Sequence, residues 1–226
     1  MFDRVAPRYD LANTLLSLGQ DRFWRVAAAR ATGLAPGELA VDVACGTGAL
    51  SRDLAWLQPR ARVLGADFSW GMVRRGPLTG AGRDGARPAG YLAADAMRLP
   101  FADASVDVVT IAFGLRNLPD PDGGLRELRR VLRPGGRLVV CEFSRPTAAA
   151  FREVYERYLF RLLPLAARLV ASDPEAYQYL ARSIGAWPDQ AGLAGRLRAA
   201  GFDSVRWRNL SGGIVALHRG VVAGGG

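Results

Sequence analysis

Residues 41–49 read Val-Asp-Val-Ala-Cys-Gly-Thr-Gly-Ala, an apolar run that ends in a carboxylate and enters a Gly-Thr-Gly turn before an expected helix. Glycine has no Cβ, so it lets the backbone turn tightly and approach a ligand closely. Open α/β sheets bind their ligands at turns of this kind, between a strand and a helix. The stretch therefore predicts a ligand-binding loop after the first strand of an α/β sheet.

This loop departs from the dinucleotide-binding fingerprint in its third glycine. Gly46 and Gly48 are present, but Ser51 occupies the third position. The departure argues against a pyrophosphate packed on the start of the helix. Asp67 ends the next predicted strand about 20 residues later, where an acid binds the two hydroxyls of a ribose. Together these features favour a cofactor that has a nucleoside and no phosphate, and S-adenosylmethionine fits that description.

Two other acidic positions are placed to meet such a cofactor. Asp42, near the end of the first strand, can approach its cationic amino-acid end. Asp95 and Ala96, at the end of the third predicted strand, lie where the adenine is expected. The alternative is a structural turn in which Asp42 binds only backbone groups.

The composition favours one cytoplasmic domain. The chain has 226 residues, of which 50% are hydrophobic, enough for one sizeable core. Its two cysteines, Cys45 and Cys141, show neither metal-binding spacing nor a disulfide pattern, which favours a reducing compartment. No signal peptide is visible, and the apolar stretches are shorter than the ~20 residues that span a bilayer. We therefore expect a soluble or peripheral protein without a bound metal.

The charge of the chain is strongly positive. It carries +9, with 30 basic residues against 21 acidic ones, and every basic residue is arginine. Such a surface is compatible with nucleic acid or with anionic lipid. The arginines are dispersed, and no RNA-recognition, helix-turn-helix or zinc-finger pattern accompanies them. We therefore expect no nucleic-acid partner, and we expect contact with the cytoplasmic face of an anionic membrane.

Predicted strands and helices alternate from residue 39 onward. The strands lie near 39–44, 62–67, 90–94, 106–112, 137–143, 204–209 and 213–219, and the helices near 48–57, 70–76, 123–132 and 189–199. Strands separated by helices predict right-handed crossovers and a parallel sheet. A short turn at 210–212 separates the last two strands, which predicts an antiparallel hairpin.

The order of these elements resembles the Rossmann-like α/β fold of class I S-adenosylmethionine-dependent methyltransferases. Within that fold, nearly the whole chain resembles the ubiquinone/menaquinone biosynthesis C-methyltransferase family. The motifs that carry the resemblance are residues 9–24, the run Ile-Ala-Phe-Gly-Leu-Arg-Asn at 111–117, residues 130–144 and residues 212–218. The chain departs from the family at Ala12, Asp21, Ala112 and Arg133, where methionine, histidine, a small hydroxyl residue and lysine are usual.

The residues and the resemblance together define a cofactor site. Its expected members are Asp42, Gly46, Thr47, Gly48, Asp67, Phe68, Asp95, Ala96 and Ala112. Thr47 belongs to the Gly-Thr-Gly loop and Phe68 follows Asp67, whereas Ala112 replaces a hydroxyl residue that is thought to touch the cofactor in some members of the family.

The resemblance implies methyl transfer to a ring carbon of a polyprenyl quinol, most often demethylmenaquinol and otherwise a benzoquinol of ubiquinone biosynthesis. Such a carbon becomes nucleophilic when an ortho oxygen is ionised, and a phenol titrates near pH 10. Arg116 would stabilise this quinolate as a cation, because its neutral form would cost upwards of ~7 kcal/mol to use as a base. Asn117 or Asp67 would orient the departing proton. The alternative is a small-molecule O- or N-methyltransferase, which would differ at Arg116 and Asn117.

Two segments flank the cofactor-binding half, residues 36–144. Residues 1–35 are expected to form lid helices in which Tyr9, Asp10 and Asn13 face the substrate; the alternative is a simple packing helix. Together with Arg116, these three residues make up the expected substrate contacts.

Residues 145–185 are rich in aromatic residues and leucine, interspersed with arginine. This insertion predicts a hydrophobic mouth for the polyprenyl tail that also rests on anionic membrane. A homodimer interface or ordinary helix packing is the alternative. Residues 186–220 complete the predicted single domain, 1–226, with a helix and the hairpin.

Overall fold

The computed structural model of the chain describes residues 17, 19–80, 82–162 and 174–224. Tyr9, Asp10 and Asn13 of the predicted lid lie outside the described residues, as does the centre of the predicted insertion.

The described residues form a seven-stranded sheet in the order β3-β2-β1-β4-β5-β7-β6. The strands are β1 (Leu39–Val43), β2 (Arg62–Asp67), β3 (Gly90–Ala93), β4 (Val106–Ala112), β5 (Leu132–Phe143), β6 (Asp203–Leu210) and β7 (Val215–Val221). Neighbouring strands from β3 to β5 are parallel, whereas β7 is antiparallel to both β5 and β6. The predicted parallel sheet that ends in an antiparallel hairpin is confirmed.

Seven α-helices are present in the described part of the chain. They are α1 (Gln20–Ala31), α2 (Ala49–Leu57), α3 (Trp70–Val73), α4 (Pro121–Val131), α5 (Ala149–Arg157), α6 (Pro174–Ala186) and α7 (Gln190–Ala199). A π-helical turn, Tyr158–Leu162, continues α5. The predicted helix at 70–76 is shorter than expected because Gly76 precedes Pro77, and a residue before proline is biased away from the helical conformation.

The fifth strand begins earlier than predicted. Leu132 already pairs with Val106, and the register then shifts so that Val108 pairs with Arg137. Pro134 and the two glycines that follow it form a bulge within the strand. The predicted start at residue 137 is therefore wrong, because the proline and the glycines interrupt the pairing without ending the strand.

Helices cover both faces of the sheet, and β1 lies inside it between β2 and β4. Val41 and Val43 point towards α4 and α7, whereas Ala40 points towards α1 and α2. Side chains alternate along a strand, so Asp42 lies on the same face as Ala40, the face that α1 and α2 cover. The carboxyl end of β1 therefore brings a carboxylate to the edge of the sheet beneath α1.

Candidate active site

A cavity of about 380 Å³ opens at the carboxyl ends of the parallel strands, a size typical of small-molecule sites. Nine of the predicted site residues line it: Asp42, Gly46, Thr47, Asp67, Phe68, Asp95, Ala96, Ala112 and Asn117. Two other described residues of the predicted site, Gly48 and Arg116, lie outside this lining.

Asp67 joins the two loops that flank the cavity. Its Oδ2 accepts a hydrogen bond from Gly46 N at 2.8 Å, and its Oδ1 accepts one from Ser69 N at 2.8 Å. A carboxylate oxygen can accept more than one hydrogen bond, so these bonds are compatible with ribose hydroxyls as further donors. Phe68 follows immediately and is 80% exposed beside the cavity, which leaves a face of its ring open to a planar group.

The Gly-Thr-Gly turn depends on glycine for two different reasons. Gly46 and Gly48 both have positive φ, at 57° and 81°. A Cβ on Gly46 would meet nothing within 4 Å, whereas a Cβ on Gly48 would lie 2.3 Å from Tyr91 Oη. Gly48 therefore packs on β3 at the start of α2, which explains why it does not line the cavity.

The carboxylate of Asp42 is buried at the floor of the cavity, with 1% exposure. It accepts hydrogen bonds from Ser51 Oγ at 2.6 Å and from Thr110 Oγ1 at 2.8 Å. Burial raises the pKa of Asp42 to about 6, although these two hydrogen bonds act to lower it, and the negative charge of Asp67 adds to the increase. Its donors among the described residues are these hydroxyls and the backbone N–H of Ser51, all of them neutral, so a cation in the cavity would find a partner here.

Backbone strain marks the cavity ends of the two central strands. Ala44 and Phe113 have positive φ, at 52° and 57°, and both line the cavity. Such conformations cost a non-glycine residue about 1–3 kcal/mol and cluster at functional sites. The carbonyl of Phe113 accepts hydrogen bonds from Arg116 Nη1 at 2.7 Å and from Asn117 Nδ2 at 3.1 Å. The Arg-Asn pair thus holds the strained turn after β4.

The guanidinium of Arg116 lies behind this turn, with its side chain 5% exposed. Its Nη1 pairs with Glu142 Oε1 at 2.8 Å, and its Nε donates to Ser183 Oγ at 3.4 Å. Burial raises the pKa of Glu142, and the charge of Arg116 opposes that increase. The positive charge of Arg116 is therefore close to the cavity but largely compensated by Glu142.

Sequence reasoning missed four residues of this site: Arg25, Phe113, Glu142 and Tyr179. Arg25 of α1 and Phe113 line the cavity, and Tyr179 of α6 donates to Asn117 Oδ1 at 3.1 Å. The sequence carries a signal for Glu142 alone, because a charged residue inside the apolar run Leu-Val-Val-Cys-Glu-Phe needs a buried partner. Tyr179 links the predicted insertion to the site.

Within the described residues, no cluster of three or more histidine, cysteine, aspartate or glutamate side chains is arranged to hold a metal ion. The cavity lining offers three carboxylates, an amide, an arginine and apolar walls.

Comparison with known proteins finds relatives in both sequence and fold. The chain is 58% identical over 221 residues to the demethylmenaquinone methyltransferase of Mycobacterium sp. (strain KMS), covering 98% of this chain and 92% of that protein. Its fold resembles an S-adenosylmethionine-dependent methyltransferase from Thermotoga maritima, with a TM-score of 0.67 and 19% identity over 97% of each chain. It also resembles the [4+2]-cyclase SpnF, with a TM-score of 0.68 and 20% identity over 90% of this chain and 81% of the other.

The two structural likenesses show the fold alone, since one fold hosts unrelated reactions. The sequence match is more specific. The profile of the ubiE/COQ5 methyltransferase family matches residues 1–222 and includes the loop after β1 and the turn after β4. The chain therefore belongs to the ubiE/COQ5 methyltransferase family.

Proposed function

We propose that this protein is an S-adenosylmethionine-dependent C-methyltransferase that converts demethylmenaquinol to menaquinol. The observation that carries the proposal is the 58% identity to a demethylmenaquinone methyltransferase over 98% of the chain. A cavity lined by Asp42, Asp67 and Asp95, together with Asn117 of the turn after β4, supports it.

S-adenosylmethionine supplies an electrophilic methyl group on a cationic sulfonium. The residues of the cavity fit this cofactor in charge and shape. Among the lining residues, Asp67 is proposed to bind the ribose, Phe68 and Asp95 the adenine, and Asp42 the ammonium group of the amino-acid end. The buried carboxylate of Asp42 has no cationic partner among the described residues, which supports this proposal, because a cation bound nearby would stabilise it as an anion.

The acceptor ring is proposed to lie against the turn after β4. Phe113, Leu118 and Pro119 give this end of the cavity an apolar wall, and Asn117 is the polar side chain beside it. Each unit by which the site lowers the pKa of the quinol requires about 1.4 kcal/mol of preferential interaction with the anion. An amide has two N–H groups, and Asn117 Nδ2 donates one of them to Phe113, so the other is proposed for the quinolate oxygen.

Arg116 is proposed to act from behind Asn117. Its positive charge favours the quinolate, while its bonds to Phe113 and Glu142 fix the turn that carries Asn117. Asp67 lies on β2, and β1 separates this strand from the turn after β4. Any role of Asp67 in removing the proton from the acceptor would therefore require an ordered water between them. The departing proton is proposed to leave to solvent.

The polyprenyl tail is proposed to leave the cavity beside α5 and α6. Phe151, Val154 and Phe160 are exposed hydrophobic side chains, and the exposed Arg152 and Arg157 lie among them. No helix in the described part of the chain is long and apolar enough to cross a bilayer. We propose that this surface, the α5 surface, rests on anionic membrane at the cytoplasmic face; a homodimer would use the same side chains.

Product analysis with defined acceptors tests the proposed function. The protein is incubated with labelled S-adenosylmethionine and a reduced demethylnaphthoquinone, a reduced benzoquinone, or a phenol that accepts a methyl group only on oxygen. We expect a new ring-carbon methyl on the naphthoquinol, located by ring-proton NMR. Label only on oxygen, or in no quinol, would contradict the proposal and favour a small-molecule O- or N-methyltransferase.

A further inference from the structure

The cavity contains one charged side chain that the proposed reaction leaves unused. Arg25, on α1, is the single cationic residue among the described residues of the lining. Its side chain is 23% exposed, and it forms no ion pair with Asp42, although both line the same cavity. A cation and an anion thus face one cavity without neutralising each other.

Asp21 holds Arg25 in place. Arg25 Nη1 donates to Asp21 Oδ2 at 2.6 Å, one turn earlier in α1, and Ser17 Oγ donates to Asp21 Oδ1 at 3.0 Å. Burial acts to raise the pKa of Asp21, but the charge and hydrogen bonds of Arg25 and the bond from Ser17 lower it overall. Asp21 is therefore an ionised anchor that fixes one edge of the guanidinium.

The edge of the guanidinium formed by Nε and Nη2 carries further hydrogen-bond donors. Arg25 Nε is buried and has no hydrogen-bond partner among the described residues. Together with Nη2 it forms the planar fork that binds the two oxygens of a carboxylate. A buried donor of this kind normally has a partner. Because Arg25 belongs to the cavity lining, an anionic group of a ligand would supply a partner for its guanidinium.

Arg25 also lies at the correct end of the cavity for the amino-acid part of the cofactor. The nucleoside residues Asp67 and Asp95 follow β2 and β3, on one side of β1. Trp24, the residue before Arg25 on α1, packs against Phe113 after β4 and Phe143 at the end of β5, with ring centroids 5.9 and 6.4 Å apart. Since β4 and β5 lie on the other side of β1, this part of α1 lies away from the nucleoside residues.

We propose that Arg25, positioned by Asp21, binds the carboxylate of the amino-acid end of S-adenosylmethionine. This assignment rests on the proposed function for the identity of the cofactor. Asp42 then binds the ammonium group and Arg25 the carboxylate, so that the two charges of the cavity match the two charges of a zwitterion.

The test compares two ligands by calorimetry: S-adenosylmethionine and its decarboxylated analogue, which retains the nucleoside, the sulfonium and the amine. A bidentate charged hydrogen bond predicts that Arg25→Gln weakens S-adenosylmethionine about 10- to 100-fold and changes the analogue less than about 3-fold. Arg22→Gln is the matched control, because Arg22 is exposed on the same helix and lies outside the cavity lining. It should change neither affinity.

Asp21→Asn tests the positioning role separately. It should weaken S-adenosylmethionine less than Arg25→Gln does, and it should have no further effect once Arg25 is replaced, because the two side chains act as a unit. Arg25→Lys should restore part of the preference for the carboxylate, since it keeps the charge without the fork. Circular dichroism checks that each variant is folded.

Equal weakening of both ligands by Arg25→Gln would overturn the proposal, because it would assign Arg25 a purely structural role. An unchanged affinity for S-adenosylmethionine would overturn it as well. In either case wild-type binding of S-adenosylmethionine would leave the proposed function intact, whereas a wild-type protein that binds neither ligand would contradict the proposed function itself.

Discussion

At the scale of single residues, the site is governed by charges buried without full compensation. The carboxylate of Asp42 accepts hydrogen bonds from two neutral hydroxyl groups, one of which belongs to Ser51. Ser51 replaces the third glycine of the dinucleotide fingerprint, so this departure in the sequence provides a hydrogen-bond donor for Asp42. A ligand that brings a positive charge to Asp42 gains the interaction that the protein itself does not supply.

The pKa of Asp42 predicts a pH-dependent affinity for S-adenosylmethionine. Burial raises this pKa to about 6 in the free protein, and a bound cation favours the carboxylate and lowers it. The affinity should therefore be constant above about pH 7 and fall by up to about tenfold per pH unit as the pH drops below 6. Calorimetric titrations at pH values between about 5 and 8 measure this affinity.

Asp42→Asn is the control for this dependence. It should bind more weakly at pH 7.5 and show little change down to about pH 5, because the titrating group is gone. An Asp42→Asn protein with the wild-type pH profile would assign the dependence to another group.

The two glycines of the turn make a matched pair for a stability measurement. Gly46→Ala should cost about 1 kcal/mol, since it adds only a positive-φ penalty. Gly48→Ala should cost about 2–4 kcal/mol, because its Cβ also collides with Tyr91. Urea denaturation compares them, and equal costs would show that the contact between Gly48 and Tyr91 is unimportant.

At the scale of elements, the cavity exists because parallel strands end at one edge of the sheet. The alternation of strands and helices predicted this edge, and with it Asp42, Asp67 and Asp95, because each acid lies at or near the end of a strand. The sequence could not predict the partner of Arg116. The pair with Glu142 depends on the register between β4 and β5, in which Ala112 pairs with Cys141.

Other parts of the site were also beyond sequence reasoning. The amphipathic pattern of α1 predicted a helix near the ligand-binding edge, but the place of Arg25 in the cavity lining depends on how the neighbouring Trp24 packs against Phe113 and Phe143. Gly48 was expected to bind cofactor through its motif, yet its place is set by Tyr91, a residue of a strand more than 40 positions later along the chain. Long-range packing of this kind leaves no local trace in a single sequence.

The turn after β4 yields a prediction about catalysis. Arg116→Lys should lower turnover while leaving the affinity for S-adenosylmethionine nearly unchanged. Lysine keeps the charge but lacks the planar guanidinium, whose Nη1 donates to the carbonyl of Phe113 and to the carboxylate of Glu142. Steady-state kinetics and calorimetry separate the two quantities. A loss of cofactor affinity as large as the loss of turnover would make Arg116 a cofactor residue.

Glu142→Gln distinguishes the two ways in which Arg116 can act. If its charge stabilises the quinolate, removing the counter-charge should shift the rise of turnover to lower pH. If it only anchors the turn, turnover should fall at every pH, because the buried pair is broken. The pH profile of turnover at saturating S-adenosylmethionine provides the readout.

At the scale of the whole molecule, a net charge of +9 and the exposed hydrophobic side chains of the α5 surface predict recruitment to anionic vesicles. Binding should weaken as salt rises, because these charges act within a Debye length of about 8–10 Å. Arg152→Glu on α5 should weaken binding more than Arg87→Glu, which makes the same charge change before β3 at the other edge of the sheet.

Vesicle sedimentation measures this recruitment. Equal binding to neutral and anionic vesicles would show that electrostatic attraction does not recruit the protein to the membrane. Equal effects of the two substitutions would show that the total charge, and not the α5 surface, directs the protein to the membrane.

The central claim, ring-carbon methylation of a quinol, is tested most directly by its dependence on reduction of the acceptor. An oxidised quinone ring is electron-poor and cannot attack a sulfonium methyl, whereas a quinolate places charge on the carbon ortho to its oxygen. The measurement is anaerobic turnover of demethylmenaquinone with and without dithionite, with the new methyl located by mass spectrometry and ring-proton NMR. The account predicts a carbon-bound methyl in the reduced sample alone; equal turnover of the oxidised form, or a methyl on oxygen, would contradict it.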